Sequence, residues 1–314
     1  MKKMTVCIMC IYFFITAGVV VKQPMQNIAL AYEETNEVTY DVTMKRDILC
    51  LMMAYPEYVT GVERKEDGRV YVIMKSERKI LYDDKKAKNS EQKLNNPDLQ
   101  DVMEQAYPLT DIKKIMEKDY NPGRTRHYTL LKEVYGGSKA QVQSNLIPVN
   151  IGGCHCIFNG NNKAADSLKK VMRELSPLAQ NRRDIGSCVF PTSGTFNYRL
   201  IAGTNRLSPH SFGTAIDLAS NKHDYWKWTS REAGEKRLAG YPREIVQIFE
   251  KNNFIWGGKW GKFDILHFEY RPELILKARY FGNKSVSNKA WYDGVPYEDA
   301  NIKNYIEIID KASR

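Results

Sequence analysis

The chain has 314 residues, 43% of them hydrophobic and 27% charged, which excludes wholesale disorder and leaves room for one large core or two smaller ones. Its formal charge of +10 suits an anionic partner, whether nucleic acid, cell surface or wall polymer. No zinc-finger spacing and no Arg/Lys-rich helix interleaved with aromatics is present, so a nucleic-acid partner is not expected.

The first residues address the compartment. Lys2 and Lys3 precede an apolar run from Met4 to Val21, and "ALA" ends at Ala31. Basic start, apolar centre and small residues before a cut are the layout of a secretory leader over residues 1–31. A retained anchor is the alternative, because the run approaches the length of a bilayer span. Either way the body of the chain is expected outside the membrane. The leader holds three lysines and no acid, so its removal leaves a charge of +7. Cys7 and Cys10 leave with it, while Cys50, Cys154, Cys156 and Cys188 remain. In an exported chain these could pair. "CHC" at 154–156 is too tight for a zinc knuckle, which leaves buried thiols or a bridge of the Cys156–Cys188 type.

Residues 32–44 read as a polar lead-in. From Lys45 a short amphipathic helix runs to near Pro56. "GVERKEDGRVYVIMKS" then reads as a hairpin turning at Asp67-Gly68. Residues 83–100 are charged and almost without apolar positions, so a solvated loop is expected, followed by a short helix ending at Pro108. The span 32–140 is thus a small α+β region of unassigned role. Further on, "NKAADSLKKVMRELSPLAQ" (162–180) aligns Ala165, Leu168, Met172 and Leu175 on one helical face, with Asn162 as a cap. A second amphipathic helix covers 241–254, with Ile245, Ile248 and Phe249 inward. "FIWGGKW" and "ILHFEYR" are strand-like and separated by a glycine-containing turn. Helices flanking short hairpin-linked strands predict an α+β fold with a small antiparallel sheet. Residues 141–285 form its main domain and 286–314 a C-terminal extension. There is no phosphate-binding glycine fingerprint and no serine elbow.

Chemistry concentrates in two short segments. "LSPHSFGTAIDLA" carries His210 and Asp217, seven apart; Gly213 permits a turn, so a loop running into a strand is expected. In "FDILHFEY", His267 and Glu269 share one strand face, and Asp264 lies three residues earlier. Two imidazoles and one carboxylate suit zinc with a fourth position open. His210, Asp217 and His267 are the expected ligands, Asp264 a base, and Glu269 a group that orients a ligand from behind. His127, His155 and His223 have no comparable company and are read as non-catalytic, and Trp256 and Trp260 as core.

These segments resemble the D-alanyl-D-alanine carboxypeptidase and L-alanyl-D-glutamate endopeptidase family, the VanX/VanY-type metallopeptidases. The signature S-x-H-x-x-G-x-A-x-D is met by Ser208, His210, Gly213, Ala215 and Asp217. Asp264, His267, Phe268 and Glu269 meet the second signature, and "WGG-x-W" at 256–260 is similar to the endolysin-like branch. The resemblance covers about residues 145–285. It implies a hedgehog/D-Ala-D-Ala-peptidase-like fold and a zinc cofactor. It also implies a secreted, wall-associated enzyme acting on peptidoglycan stem peptides. By the same resemblance Arg199 polarises the substrate, with Arg206 the second candidate. Ser208 and Arg206 would contact the peptide. Some relatives carry Glu where this chain has Asp264. Carboxypeptidase and endopeptidase readings both stay open, as does a non-catalytic wall-binding module keeping a structural zinc. A third reading places a glycan- or partner-binding role in residues 45–140.

Overall fold

The computed structural model describes residues 25–282 and 289–312, with side chains from Thr39 onward apart from Cys154. The leader expected over residues 1–31 lies outside the described residues as far as residue 24. Among the described residues no helix is long and apolar enough to cross a membrane. The chain divides into two compact units, Met1–Asp41 and Val42–Arg314. The first is described only through the start of α1 (Met25–Ala54), and the second carries every later element.

The last turns of α1 bury Ile48, Leu49, Leu51 and Met52. After Tyr55 come β1 (Val59–Arg64), β2 (Val70–Met74) and β3 (Lys79–Leu81), an antiparallel meander in that order. Alternation fixes its faces, with Val70, Val72 and Met74 buried and the residues between them half-exposed. The expected hairpin therefore gains a third strand.

The stretch 83–100 is largely solvent-exposed, as its composition suggests, but it is not all loop. It holds α2 (Ser90–Asn95), capped by the Asn89 side chain, and leads into α3 (Leu99–Met103), capped by Asp98. Lys88 is buried between them, its ammonium 3.1 Å from Asp84, 2.7 Å from Asp98 and 2.6 Å from Asp101. Three carboxylates around one ammonium tie the coil before α2 to the start of α3.

The segment after α3 is tied by hydrogen bonds to Glu250, Trp260 and Gly261. Tyr107 Oη donates to Glu250 at 2.5 Å, Trp260 Nε1 donates to Pro122 O at 2.6 Å and Gly261 N donates to Tyr120 O at 2.8 Å. Gly261 has to be glycine, since a Cβ there would lie 1.9 Å from the Glu117 carbonyl. α4 (Tyr128–Tyr135) and α5 (Lys139–Ser144) lead into a hairpin of β4 (Leu146–Ile151) and β5 (Cys154–Asn159), which the sequence did not announce because Pro148 interrupts it. α6 (Ala164–Asn181) buries Ala165, Leu168, Met172 and Leu175 as expected. Its start differs: Asn162 and Lys163 are left-handed, φ 51° and 60°, so the Asn162 side chain caps nothing. α7 (Arg183–Val189) comes next. Its Cys188 is a free thiol contacted by the Arg237 guanidinium at 3.6 Å, so no Cys156–Cys188 bridge is made.

The third sheet holds β6 (Ala215–Asp217), β7 (Phe254–Trp256) and β8 (His267–Tyr270), antiparallel in the order β6-β8-β7. α8 (Arg231–Ala239) and α9 (Arg243–Lys251) lie between β6 and β7 in sequence, and α9 and α6 pack against each other with α9 under β7. The interior is aromatic. Phe249 of α9 stacks on Phe268 of β8 with centroids 3.9 Å apart, and Phe254 meets Phe249 edge-on at 5.3 Å. Trp256 and Trp260 are buried, at 0% and 3% exposure. α10 (Pro272–Phe281) comes after β8, and α11 (Ala300–Ala312) packs on β1. The architecture is α+β, small antiparallel sheets flanked by helices.

Phe268 is wholly buried between His267 and Glu269, so it supports the strand that carries both. Phe268→Ala is expected to destabilise the chain by about 3–5 kcal/mol, read as a lowered midpoint in denaturant unfolding. A change under about 1 kcal/mol would mean that this stack does not anchor β8.

Candidate metal centre

Local geometry presents each side chain of the expected group. Ser208 caps a single 3-10 turn, Pro209–Phe212, its Oγ accepting from His210 N at 3.4 Å. Gly213 ends the turn at φ 65°, where a Cβ would lie 2.6 Å from Leu146 Cδ2. The chain then enters β6, whose last residue, Asp217, pairs in register with His267 at the start of β8. One loop and two strand ends thus converge.

The Asp217 carboxylate sits between two imidazoles. Its Oδ1 is 2.8 Å from His267 Nδ1 and its Oδ2 is 3.2 Å from His210 Nε2. The two rings lie 5.2 Å apart. His210, Asp217 and His267 each offer a ligand atom, and these atoms all lie within 4.8 Å of one another, so the group could hold a metal ion. The backs of both rings are also engaged. His210 Nδ1 lies 2.5 Å from the Thr195 carbonyl, which accepts its N–H and leaves Nε2 facing Asp217. His267 Nε2 lies 3.7 Å from Glu269 Oε2, and Arg126 meets both Glu269 oxygens at 2.7 and 2.5 Å. Two nitrogen donors and one oxygen donor, each braced from behind, fit a borderline divalent ion such as zinc.

Charge in the group is set by burial and neighbours. Burial alone would raise the Asp217 carboxyl, yet hydrogen bonds from His210 and His267 hold it far below the usual range. Burial likewise opposes charge on His267, but Asp217 and Glu269 raise its imidazolium to about 10. Glu269 is held well below its ordinary value, burial being outweighed by Arg126. Asp264 moves the other way: burial, with Asp217 nearby, pushes its carboxyl to about 7. Asp264 is fixed by its backbone, its N–H donating to Gly257 O at 3.0 Å and its C=O accepting from His267 N at 3.2 Å. Gly257 permits that approach, since a Cβ there would meet the Asp264 carbonyl at 2.5 Å.

A cavity of about 600 Å³ opens over the group and takes in His210, Asp217, His267, Asp264, Arg199, Arg206 and Ser208, so all the expected site residues line one space. Their engagement differs. The Ser208 hydroxyl is used in capping the turn. Arg199 is exposed, with a long 3.5 Å bond to the Leu200 carbonyl. Arg206 reaches Leu94 O at 3.4 Å, while its Nε is buried with no partner among the described residues. Sequence reasoning did not find Arg124, Arg126, Lys262 or the run Tyr225–Trp228, which line the same space. Arg124 and Arg126 sit in "NPGRTRHY", whose two-residue spacing was the one available signal. Arg124 lies 5.5 Å over the Trp260 ring, itself 5.7 Å from His267, and burial lowers its pKa to about 10.

The remaining histidines lie outside the group. His127 caps α4, accepting from Leu130 N at 3.3 Å, and His223 faces the Thr229 hydroxyl at 2.8 Å. Asp83, Asp84 and Asp98 also converge closely enough for a cation, but Lys88 supplies the counter-charge there.

Residues 202–270 match the model of a protein family described as D-alanyl-D-alanine carboxypeptidase. That span contains His210, Asp217, Asp264 and His267, and the match supports a peptidase acting on peptidoglycan. No curated protein and no solved structure matches the chain.

A ligand nitrogen has to be free of its proton before it can bind a metal. With His267 raised to about 10, a cation entering at pH 8 must displace a proton that an ordinary imidazole would already have lost. Titration with zinc at pH 8 is therefore expected to release at least one proton per ion, measured calorimetrically in buffers of different ionisation enthalpy. No buffer dependence would refute the charge-stabilised imidazolium.

Proposed function

We propose that the chain is a secreted zinc peptidase that hydrolyses peptide bonds in peptidoglycan stem peptides, as a D-alanyl-D-alanine carboxypeptidase or a related L-alanyl-D-glutamate endopeptidase. The observation that carries this reading is the His210–Asp217–His267 group with Asp264 in one cavity, inside the matched span. The leader-like residues 1–31 support export, and the positive charge supports residence at an anionic wall.

His210, Asp217 and His267 would hold the ion, and zinc, when bound, supplies a Lewis acid for the scissile carbonyl and favours ionisation of a water molecule. Asp264 is the base of this reading. A carboxylate in the same cavity, with its proton affinity raised by burial, can accept a proton from the attacking water and return it to the leaving amine. Arg199, exposed on the cavity wall with no carboxylate partner among the described residues, is placed to meet the carbonyl oxygen as negative charge develops. Arg206, on the same cavity wall, is placed to donate toward the peptide, and Ser208 holds the turn that presents His210. A purely structural zinc site would be closed by a fourth protein ligand. Here the group has three members among the described residues and faces a cavity.

Mass spectrometry of fragments released from defined muropeptides, with and without chelator, tests the reading and identifies the bond cut. Chelation is expected to abolish release and added zinc to restore it; undiminished cleavage after complete metal removal would defeat the assignment.

Asp264→Ala is expected to retain one zinc per chain and to lose turnover by about 10²–10⁴-fold. Unchanged turnover would remove Asp264 from the base role. Because the base works only when ionised, activity should fall as pH drops. The midpoint should lie below about 7, since a bound cation pulls the Asp264 carboxyl down from that value.

A further inference from the structure

Tyr225, Trp226, Lys227 and Trp228 line the same cavity as the metal group. Their backbone is tied to the Asp264 segment, with Tyr225 bridging Asp264 and Trp226 N donating to Phe263 O at 3.1 Å. Tyr225 packs edge-on against Trp226 at 6.1 Å and against Trp228 at 5.2 Å. Trp228 is nevertheless 61% exposed, the most of any large hydrophobic side chain among the described residues. An indole held by neighbours yet left open to water, in the wall of the cavity that holds the metal group, presents a flat apolar surface for a ligand. Polar groups line the same cavity beside the neighbouring Trp226. The Trp226 Nε1–H is buried with no acceptor among the described residues, and the Lys227 and Lys262 ammoniums lie 5.3 and 5.7 Å from the Trp226 ring.

We propose that Trp228 and Tyr225 form a saccharide-stacking subsite that takes a pyranose ring of the glycan bearing the wall peptide. The proposal rests on the wall-peptidase reading. Stem peptides of alanine, glutamate and a diamino acid offer methyl, carboxylate and amine groups, none with a ring-sized apolar face. An N-acetylated pyranose offers a C–H face to stack on indole. Its hydroxyl and acetamide oxygens can accept from the Lys227 and Lys262 ammoniums, which line the same cavity. Because one cavity holds both Trp228 and the metal group, a peptide and its attached sugar can be engaged together.

The test compares zinc-loaded full chain with Trp228→Ala and Trp228→Phe, using a free pentapeptide and the same pentapeptide on its N-acetylglucosaminyl-N-acetylmuramyl disaccharide. The ratio of kcat/KM for the disaccharide-peptide to that for the free peptide is expected to fall about tenfold in Trp228→Ala, mainly through KM, and less in Trp228→Phe. A ratio that does not move, including an equal loss on both substrates, overturns the proposal. Calorimetric titration with the disaccharide alone separates this failure from failure of the peptidase reading. Binding to the wild type that is weakened in Trp228→Ala supports the subsite even if no peptide is cut, and absence of binding to the wild type overturns it.

Discussion

Glu269 is 1% exposed and charged, and that is tolerable because Arg126 meets both of its oxygens. A carboxylate at this depth without a partner would take up a proton, because stripping water from a charge costs several kcal/mol. Its retained charge faces His267 Nε2, so the other nitrogen of that ring is turned toward Asp217. The same carboxylate lies 3.6 Å from Arg271, which bonds Glu273 at 2.6 Å, and Glu273 accepts from Tyr55 at the end of α1. A line of alternating charge therefore runs from the metal group through the interior to the first helix of the unit. The orientation of one imidazole and the packing of that helix depend on the same buried ions.

The cavity divides its charges unevenly. Asp217 and Asp264 gather around the imidazoles, while Arg124, Arg199 and Arg206 make no ion pair among the described residues. Positive groups without carboxylate partners raise the potential over the opening and favour an anionic ligand. Arg124 sharpens the contrast, because burial destabilises its charge and leaves a bound anion as the natural compensation.

The two segments carrying the site were legible because their chemistry is local in sequence. His210 and Asp217 flank a turn that Gly213 must end, and His267 and Glu269 alternate along one short strand. The amphipathic faces of α6 and α9 were legible for the same reason, a period matched to one buried side. What escaped was whatever rests on long-range pairing. Lys88 looked solvated because its three carboxylate partners come together only on folding. Arg126 stands 143 residues from Glu269, and nothing in "GRTRHY" announces that a carboxylate waits for it. The β4–β5 hairpin was hidden by Pro148 and by faint alternation along β4.

The strap from Tyr107 to Arg126 bears on where the unit that holds the metal group begins. It contributes Arg126 to Glu269, Pro122 to Trp260, Tyr120 to Gly261 and the Gly123 carbonyl to Arg271. Excision of residues 141–285 as a unit would strand a buried anion behind His267 and uncover one wall of the cleft. Any unit that keeps the metal group in this form has to include the strap as well, because Arg126 holds the carboxylate that braces His267.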